Sequence, residues 1–338
     1  MNNIKLLKKY GYIIILCCLL VLTSTANASC TTTSSTGSLN NIDAKTLPVA
    51  FDGTYAGGQF VIIPSSIELA TKMPESPDKI LVYKLNTMND ACIRNIANKL
   101  GFPNSSLIKI EANQDSENLQ IYNAVNGDAV LEVSANGYFA ARYGDSPSLD
   151  SGGITLSEKE CITKAQEWLK SHGLYPEEVS KIATGPILQV STYNIETGFH
   201  SENTILTYGI SFFTNIGEYQ SSLPEAYVEI DTNGEIIEVD LHVQQLKELG
   251  YVDIKTAEEA FNKLENVFNN KVANSPEISG CMINFTDFSR LTITKVSIQY
   301  SKNGNYIQPI YFFQGTAYFD DGLGTTEEFR GRVDAVIR

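Results

Sequence analysis

The stretch that decides the fold is Ser157–Leu169, which reads S-E-K-E-C-I-T-K-A-Q-E-W-L. Apolar residues recur at i, i+3 and i+7 from Ile162, which is the spacing of one helix face. Ser157 is the predicted N-cap, and Glu160 three residues later completes a capping-box pattern. The stretch therefore predicts an amphipathic helix whose apolar side packs on another element.

The same pattern occurs at two other places in the chain. Met88 begins M-N-D-A-C-I-R-N-I-A-N-K-L, and Thr256 begins T-A-E-E-A-F-N-K-L-E-N-V-F. Leu100, Leu169 and Phe268 then occupy the same position in the three copies. Strand-like sequence follows each helix, so the predicted fold class is α+β, with three tandem units, each a helix packed on an antiparallel β-sheet.

Turn signals divide the strand-like sequence into hairpins. Asn126-Gly127 and Asn136-Gly137 favour tight turns because Asn-Gly readily adopts positive φ angles. The predicted domains are a signal segment at 1–29, a tether and irregular region at 30–78, an α+β module at 79–150, and two further modules at 151–250 and 251–338.

The amino end has the pattern of an export signal. Lys5, Lys8 and Lys9 precede the apolar run Ile13–Leu22, and Ala26-Asn27-Ala28 is an A-x-A cleavage pattern. The apolar run is shorter than the roughly 20 residues that a membrane span requires. The sequence therefore predicts an extracytoplasmic protein that is secreted or lipid-anchored.

Cys30 is the candidate lipidation site. Ser29 is a suitable small residue before it, but Asn27 stands where a lipoprotein usually has leucine. The Thr- and Ser-rich sequence after Cys30 resembles a flexible tether. Lipid anchor and free secretion both remain open.

Charge excludes some classes of partner. Lys and Arg number 25 and Asp and Glu 39, which gives a formal net charge of −14. An acidic surface argues against nucleic acid and against anionic membrane as partners. A membrane contact is therefore expected only through a lipid anchor at Cys30.

Cysteines are few, and no C-x-x-C occurs. Cys92 and Cys161 hold the position that Ala260 fills in the third helix, which favours a small buried packing role for both. A Cys92–Cys161 bridge is the alternative, and it requires Cα atoms within about 7 Å. The state of Cys281 stays open.

No catalytic, cofactor-binding or metal-ligating motif is present, so none of these sites and no cofactor is predicted. His172, His200 and His242 lack metal-ligand spacing. One calcium-loop pattern deserves weighing, and it consists of Glu229, Asp231, Asn233, Gly234 and Asp240. Its flanks have strand patterns and not helix patterns, so a hairpin turn is the favoured interpretation.

Aromatic residues are frequent on the predicted strands. The consecutive pairs Phe212-Phe213 and Phe312-Phe313 place one ring on each face of a sheet, which predicts that both faces are covered. An aromatic ligand groove is the functional alternative.

The helix openings E-K-E-C-I at 158–162 and A-E-E-A-F at 257–261, with the turn D-T-N-G-E-I-I-E-V from Asp231, resemble the PepSY domain. That resemblance implies a role in inhibiting or restraining a peptidase. The whole plan is also similar to the YycH/YycI-type regulatory proteins, which restrain a cell-wall sensor kinase. No functional residue transfers, because the role of this family lies in surfaces.

The expected function is therefore that of an exported, non-enzymatic protein that binds or restrains an extracytoplasmic protein partner such as a peptidase or a sensor kinase. Two alternatives remain, an exported hydrolase with an unrecognised carboxylate site and a surface scaffold protein. Two carboxyl groups about 5–9 Å apart in a deep cleft would favour the hydrolase.

Overall fold

The structure is a computed structural model, and it describes most of the chain after the amino end. The described residues are 39–49, 66–110, 121–134, 136–145, 147, 152–190, 193–194, 199–200, 204–269, 278–279, 288–319, 324 and 326–338. The predicted signal segment and the lipidation candidate Cys30 lie outside these residues.

Three α-helices occur in the described part of the chain, α1 (Asp90–Lys99), α2 (Glu158–Ser171) and α3 (Ala257–Asn269). The capping box of α2 is confirmed, since the Ser157 backbone N–H donates to Glu160 Oε2 at 2.8 Å and the Ser157 hydroxyl accepts from the Glu160 N–H. None of these helices is long and apolar enough to cross a membrane.

Twenty strands are present in the same residues. They are β1 (Ser66–Leu69), β2 (Lys79–Leu85), β3 (Ile108–Ile110), β4 (Ile121–Asn126), β5 (Ala129–Ser134), β6 (Tyr138–Arg142), β7 (Val179–Pro186), β8 (Gln189–Val190), β9 (Tyr193–Asn194), β10 (Phe199–His200), β11 (Thr204–Ile205), β12 (Tyr208–Ile216), β13 (Tyr219–Ser221), β14 (Ala226–Ile230), β15 (Ile236–His242), β16 (Leu246–Asp253), β17 (Ile278–Ser279), β18 (Phe288–Asn303), β19 (Tyr306–Phe319) and β20 (Thr326–Asp334).

Sixteen of these described strands form one mixed sheet. We call one part of it the first half-sheet, with the strand order β3-β4-β5-β6-β15-β14-β12-β7. The other part, the second half-sheet, contains β16-β2-β19-β18-β13, with β1 beside β18, β20 beside β19, and β17 beside β20. The two parts meet at the β12–β13 hairpin, where Asn215 and Ile216 pair with Gln220 and Tyr219.

The predicted fold class is therefore wrong. The described chain is mostly strand and forms one large mixed sheet with three helices, and not three helix-on-sheet units. Strand β2, which precedes α1, pairs with β16 and β19 in the second half-sheet. Strand β6 pairs with β15, so α1 and α2 cover one common sheet. An unpaired strand edge leaves backbone N–H and C=O groups without partners, which favours such pairing between distant parts of the chain.

Two cores lie under the helices. Leu100 and Leu169 are buried in the first, between α1, α2 and the first half-sheet, and Leu264 is buried in the second, under α3. Ile162 is only partly buried. The polar helix residues Lys164, Glu167 and Asn266 are exposed, whereas Lys263 is half-buried. The Phe268 side chain lies outside what the structure describes.

The two helical cysteines differ. Cys161 is a buried free thiol, as predicted, and burial raises its pKa. Cys92 is disulfide-bonded, so packing alone does not describe its role. A Cys92–Cys161 bridge is excluded because Cys161 is free.

Candidate functional site

The first half-sheet has one face that the described helices leave uncovered. Helices α1 and α2 pack on its opposite face, against Leu131, Phe139 and Val239, and α3 packs in the other core. Directly opposite residues in antiparallel strands share a face, so the ladders identify the side chains of the uncovered face. We call it the outer face, and it carries Ile108, Ile110, Asn123, Val125, Val130, Glu132, Tyr138, Ala140, Arg142, Tyr227, Glu229, Glu238, Asp240 and His242.

Three carboxyl groups lie together at the centre of this face, on β14 and β15. Glu229 pairs directly with Glu238 across the ladder, and Asp240 follows two residues along β15. Such opposite positions place Cβ atoms about 4.5–5.5 Å apart. We call Glu229, Glu238 and Asp240 the acidic cluster.

Hydrogen bonds from neighbouring side chains hold the acidic cluster. The Tyr227 hydroxyl donates to Glu229 Oε2 at 3.0 Å, and the Tyr138 hydroxyl donates to Asp240 Oδ2 at 3.2 Å. Arg142 Nε lies 3.5 Å from Glu238 Oε1. The guanidinium is the single cation that forms an ion pair with this cluster among the described residues.

Burial shifts the protonation of Asp240. Burial and then the charge of Glu238 raise the pKa of this carboxyl from 3.8 to about 6, although the Tyr138 hydrogen bond and Arg142 act in the opposite direction. Burial and then Asp240 raise the pKa of Tyr138 to about 12. Asp240 can therefore gain or lose a proton close to neutral pH.

His242 ends the row of polar residues on β15. Its ring lies 4.9 Å from the Tyr138 ring, centroid to centroid. Burial and then the charge of Lys302 lower the pKa of this imidazole from 6.5 to about 4. The imidazole is therefore neutral at physiological pH and adds no cation to the face.

A cavity of about 330 Å³ opens where β6 ends and β15 begins. It is lined by Arg142, Gly144, Asp145, Glu229, Ile237 and Glu238. Three carboxyl groups and one guanidinium thus surround it. In the part of the chain that the structure describes, no group of three or more His, Cys, Asp or Glu side chains is arranged to hold a metal ion.

An exposed apolar patch lies beside the acidic cluster. Ile108 is 67% exposed, Ile110 41%, Val125 62% and Val130 40%, and they come from the neighbouring strands β3, β4 and β5. Val125 pairs with Val130, and Val130 pairs with Arg142. Single exposed apolar residues are common, but a contiguous patch on one face is typical of an interaction surface.

The residues of the calcium-loop pattern form a hairpin turn and its flanking strands. Asp231 Oδ1 accepts from the backbone N–H groups of Asn233 and Glu235, which closes the turn between β14 and β15. The favoured hairpin interpretation is confirmed, and Gly234 has the positive φ of 79° that the turn requires. Glu229 and Asp240 lie on the flanking strands and belong to the acidic cluster.

The histidines are dispersed. His172 is the C-cap of α2, where its ring stacks on Trp168 at 3.9 Å. His200 lies in β10, and its side chain is outside the described ones. The aromatic pairs lie as expected, since Phe212 and Phe313 are fully buried and their neighbours are turned to the other face, where they are partly buried.

Sequence reasoning missed most of the outer face. Tyr138, Arg142, Tyr227 and Glu238 were not predicted as site residues. The available signal was polar alternation, since Glu238, Asp240 and His242 occupy every second position of one strand. Their neighbours on β6 and β14 come from distant parts of the chain.

Comparisons with known proteins give low similarities. No protein-family model matches the chain, and no curated protein does. Among solved structures it is similar to an uncharacterized protein from Eubacterium rectale, with 12% identity, coverage of 80% of this chain and 87% of that chain, and a TM-score of 0.42. It is also similar to the Bacillus megaterium YpeB C-terminal domain, with 10% identity, coverage of 72% and 99%, and a TM-score of 0.31.

With TM-scores below 0.5, neither likeness carries an argument about fold or function. The PepSY resemblance therefore depends on the helix openings and the hairpin turn of the sequence, and the similarity to YycH/YycI-type regulators stays a prediction.

Proposed function

We propose that this chain is an exported, non-enzymatic protein that binds another extracytoplasmic protein through the outer face of its first half-sheet. The observation that carries the proposal is the contiguity of the exposed apolar patch with the acidic cluster. Interfaces between proteins combine an apolar contact area with polar groups that set specificity. The export signal of the sequence supports the extracytoplasmic location.

The hydrolase alternative receives less support from the geometry. Glu229 and Glu238 line one cavity, but Tyr227 donates to the first and Arg142 pairs with the second. A general acid requires a carboxyl with a raised pKa; burial raises the pKa of Asp240 and of Glu225, and neither residue lines the cavity.

Site-specific photo-crosslinking in the native host tests the proposal. A photoreactive residue in place of Val125 should form a covalent adduct with a protein partner. The matched control replaces Glu167, which is exposed on α2, on the opposite side of the half-sheet. Adducts from neither position, or equal adducts from both, would overturn the assignment of the outer face as the binding surface.

A further inference from the structure

We propose that the partner contributes an extended basic segment, which places apolar side chains on Val125 and Val130 and a lysine or arginine over Glu229 and Glu238. This inference rests on the proposed function and adds the chemistry of the bound segment. It follows from the order of side chains across the sheet, from the charge of the face and from one buried oxygen without a donor.

The order of side chains forms a single row across five strands. Successive register partners are Val125, Val130, Arg142, Glu238 and Glu229, on β4, β5, β6, β15 and β14. The row changes from apolar to acidic in one direction. A segment that crosses the strands along this row therefore meets apolar groups at one end and carboxyl groups at the other.

A second row of register partners runs parallel to the first. Glu132, Ala140 and Asp240 are successive partners one step along the strands. Ala140 has the smallest side chain of the three, and it lies between two carboxyl groups. This second row therefore adds two carboxyl groups beside the row that contains Arg142.

The charge of the face favours a basic occupant. Glu132, Glu229, Glu238 and Asp240 carry carboxyl groups, and within the described part of the chain the one ion pair with them is that of Arg142 with Glu238. Glu229 is 8% exposed, so a cation beside it would be largely desolvated and the attraction stronger than at an open surface. An acidic chain with a net charge of −14 also steers a basic segment toward it.

One oxygen of the acidic cluster lacks a hydrogen bond. Asp240 Oδ1 is buried and accepts from no donor among the described residues, whereas Oδ2 accepts from Tyr138. Buried polar atoms are usually satisfied, and an exception calls for an explanation. An incoming ammonium or guanidinium group would supply the donor.

The strand spacing gives the length of the segment. Three steps of about 4.8 Å separate Val130 from Glu229, which is about 14 Å. An extended chain advances about 3.4 Å per residue, so the apolar and basic side chains should lie about four residues apart. A second copy of this acidic chain would not meet the charge requirement.

Fluorescence-anisotropy titration of the mature protein tests the inference with labelled peptides. The peptide Leu-Leu-Thr-Ser-Thr-Arg-Arg should bind, and binding should weaken as salt rises from about 0.05 M to about 0.5 M because the Debye length shortens. Leu-Leu-Thr-Ser-Thr-Glu-Glu and Ser-Ser-Thr-Ser-Thr-Arg-Arg should each bind at least about tenfold more weakly.

Matched variants locate the binding. Glu238→Gln combined with Asp240→Asn should lower the affinity for the Arg peptide at least about tenfold, and Val125→Ser should lower that affinity by a smaller factor. Glu167→Gln, which removes an exposed carboxylate from α2, should leave it unchanged, and circular dichroism checks that each variant is folded. The inference would be overturned if the Glu peptide bound as tightly as the Arg peptide. It would also be overturned if Glu167→Gln lowered the affinity for the Arg peptide as much as the double variant does.

Two further outcomes separate this inference from the proposed function. If crosslinks from position 125 persist but no basic peptide binds, the surface binds a partner of another chemistry and only this inference fails. If calcium chloride alone binds by calorimetry and the double variant abolishes it, the acidic cluster is a small-cation site and this inference also fails. If neither crosslinks nor peptide binding occur, both proposals fail.

Discussion

Replacing Asp240 with asparagine should stabilise the protein at neutral pH. Burial and the nearby Glu238 raise the pKa of this carboxyl from 3.8 to about 6, so its ionised form is unfavourable in the folded state. An amide has nearly the same shape, keeps an oxygen that accepts the Tyr138 hydrogen bond, and carries no charge. The substitution therefore removes a repulsive charge with little change in packing.

The magnitude follows from linkage between protonation and folding. When the pKa of a group is higher in the folded than in the unfolded protein, the group stabilises the folded state at pH values below its unfolded pKa. This stabilisation is lost as the pH rises through the folded pKa. A difference of about 2 in pKa corresponds to about 3 kcal/mol. Partial solvent exposure of Asp240 screens the charge, so we expect a gain of about 1–2 kcal/mol at pH above about 7 and almost none near pH 4.

Urea unfolding at both pH values measures the effect. Other groups titrate in both proteins, so the difference between Asp240→Asn and the natural protein isolates this carboxyl. Glu132→Gln is the matched control, since it removes an exposed charge from the same face and should change the stability by less than about 0.5 kcal/mol. A loss of stability at neutral pH, or a gain of equal size at pH 4, would refute the reasoning.

Three other changes test lower levels of the structure. Leu169→Ala should cost about 2–5 kcal/mol of unfolding free energy through lost burial and a cavity, whereas exposed Lys164→Ala should stay within about 0.5 kcal/mol, both by denaturant unfolding. Gly137→Ala should destabilise far more than Gly127→Ala by the same assay, because both glycines have positive φ but an added Cβ at the first would lie 2.0 Å from a backbone carbonyl oxygen; the second should lose only about 1–2 kcal/mol. Intact-mass measurement of native protein should find a mature chain that begins at an acylated Cys30 or one residue before it, and retention of the first 29 residues would contradict export.

Local patterns in the sequence predicted local structure well. The Ser157–Glu160 capping box, the Asn-Gly turns and the alternation in β15 depend on residues within a few positions of one another. Edge strands were harder, because β7 and β16 are held by pairing and their sequences alternate poorly. A repeated helix pattern likewise does not reveal which strands the helix will cover.

Long-range pairing was the part that the sequence did not reveal. Leu81 pairs with Tyr251, and Val130 lies in one row with Glu229, although about a hundred residues or more separate each pair. The site depends on that register, since shifting a strand by one residue moves its side chains to the other face. The sequence shows the acidic residues, but it does not show which side chains from other strands lie beside them.

The opposite pKa shifts of Asp240 and His242 give the outer face an unusual response to acid. The folded pKa of His242 is depressed, so its contribution to stability is present above about 6.5 and is lost as pH falls toward about 4. The stabilising contribution of Asp240 returns over nearly the same interval of falling pH, because its carboxyl takes up a proton. The two changes act in opposite directions on the free energy of unfolding, and mild acidification removes the negative charge of Asp240 from the acidic cluster. Affinity for a cationic ligand can thus fall in an acidic compartment and return afterwards.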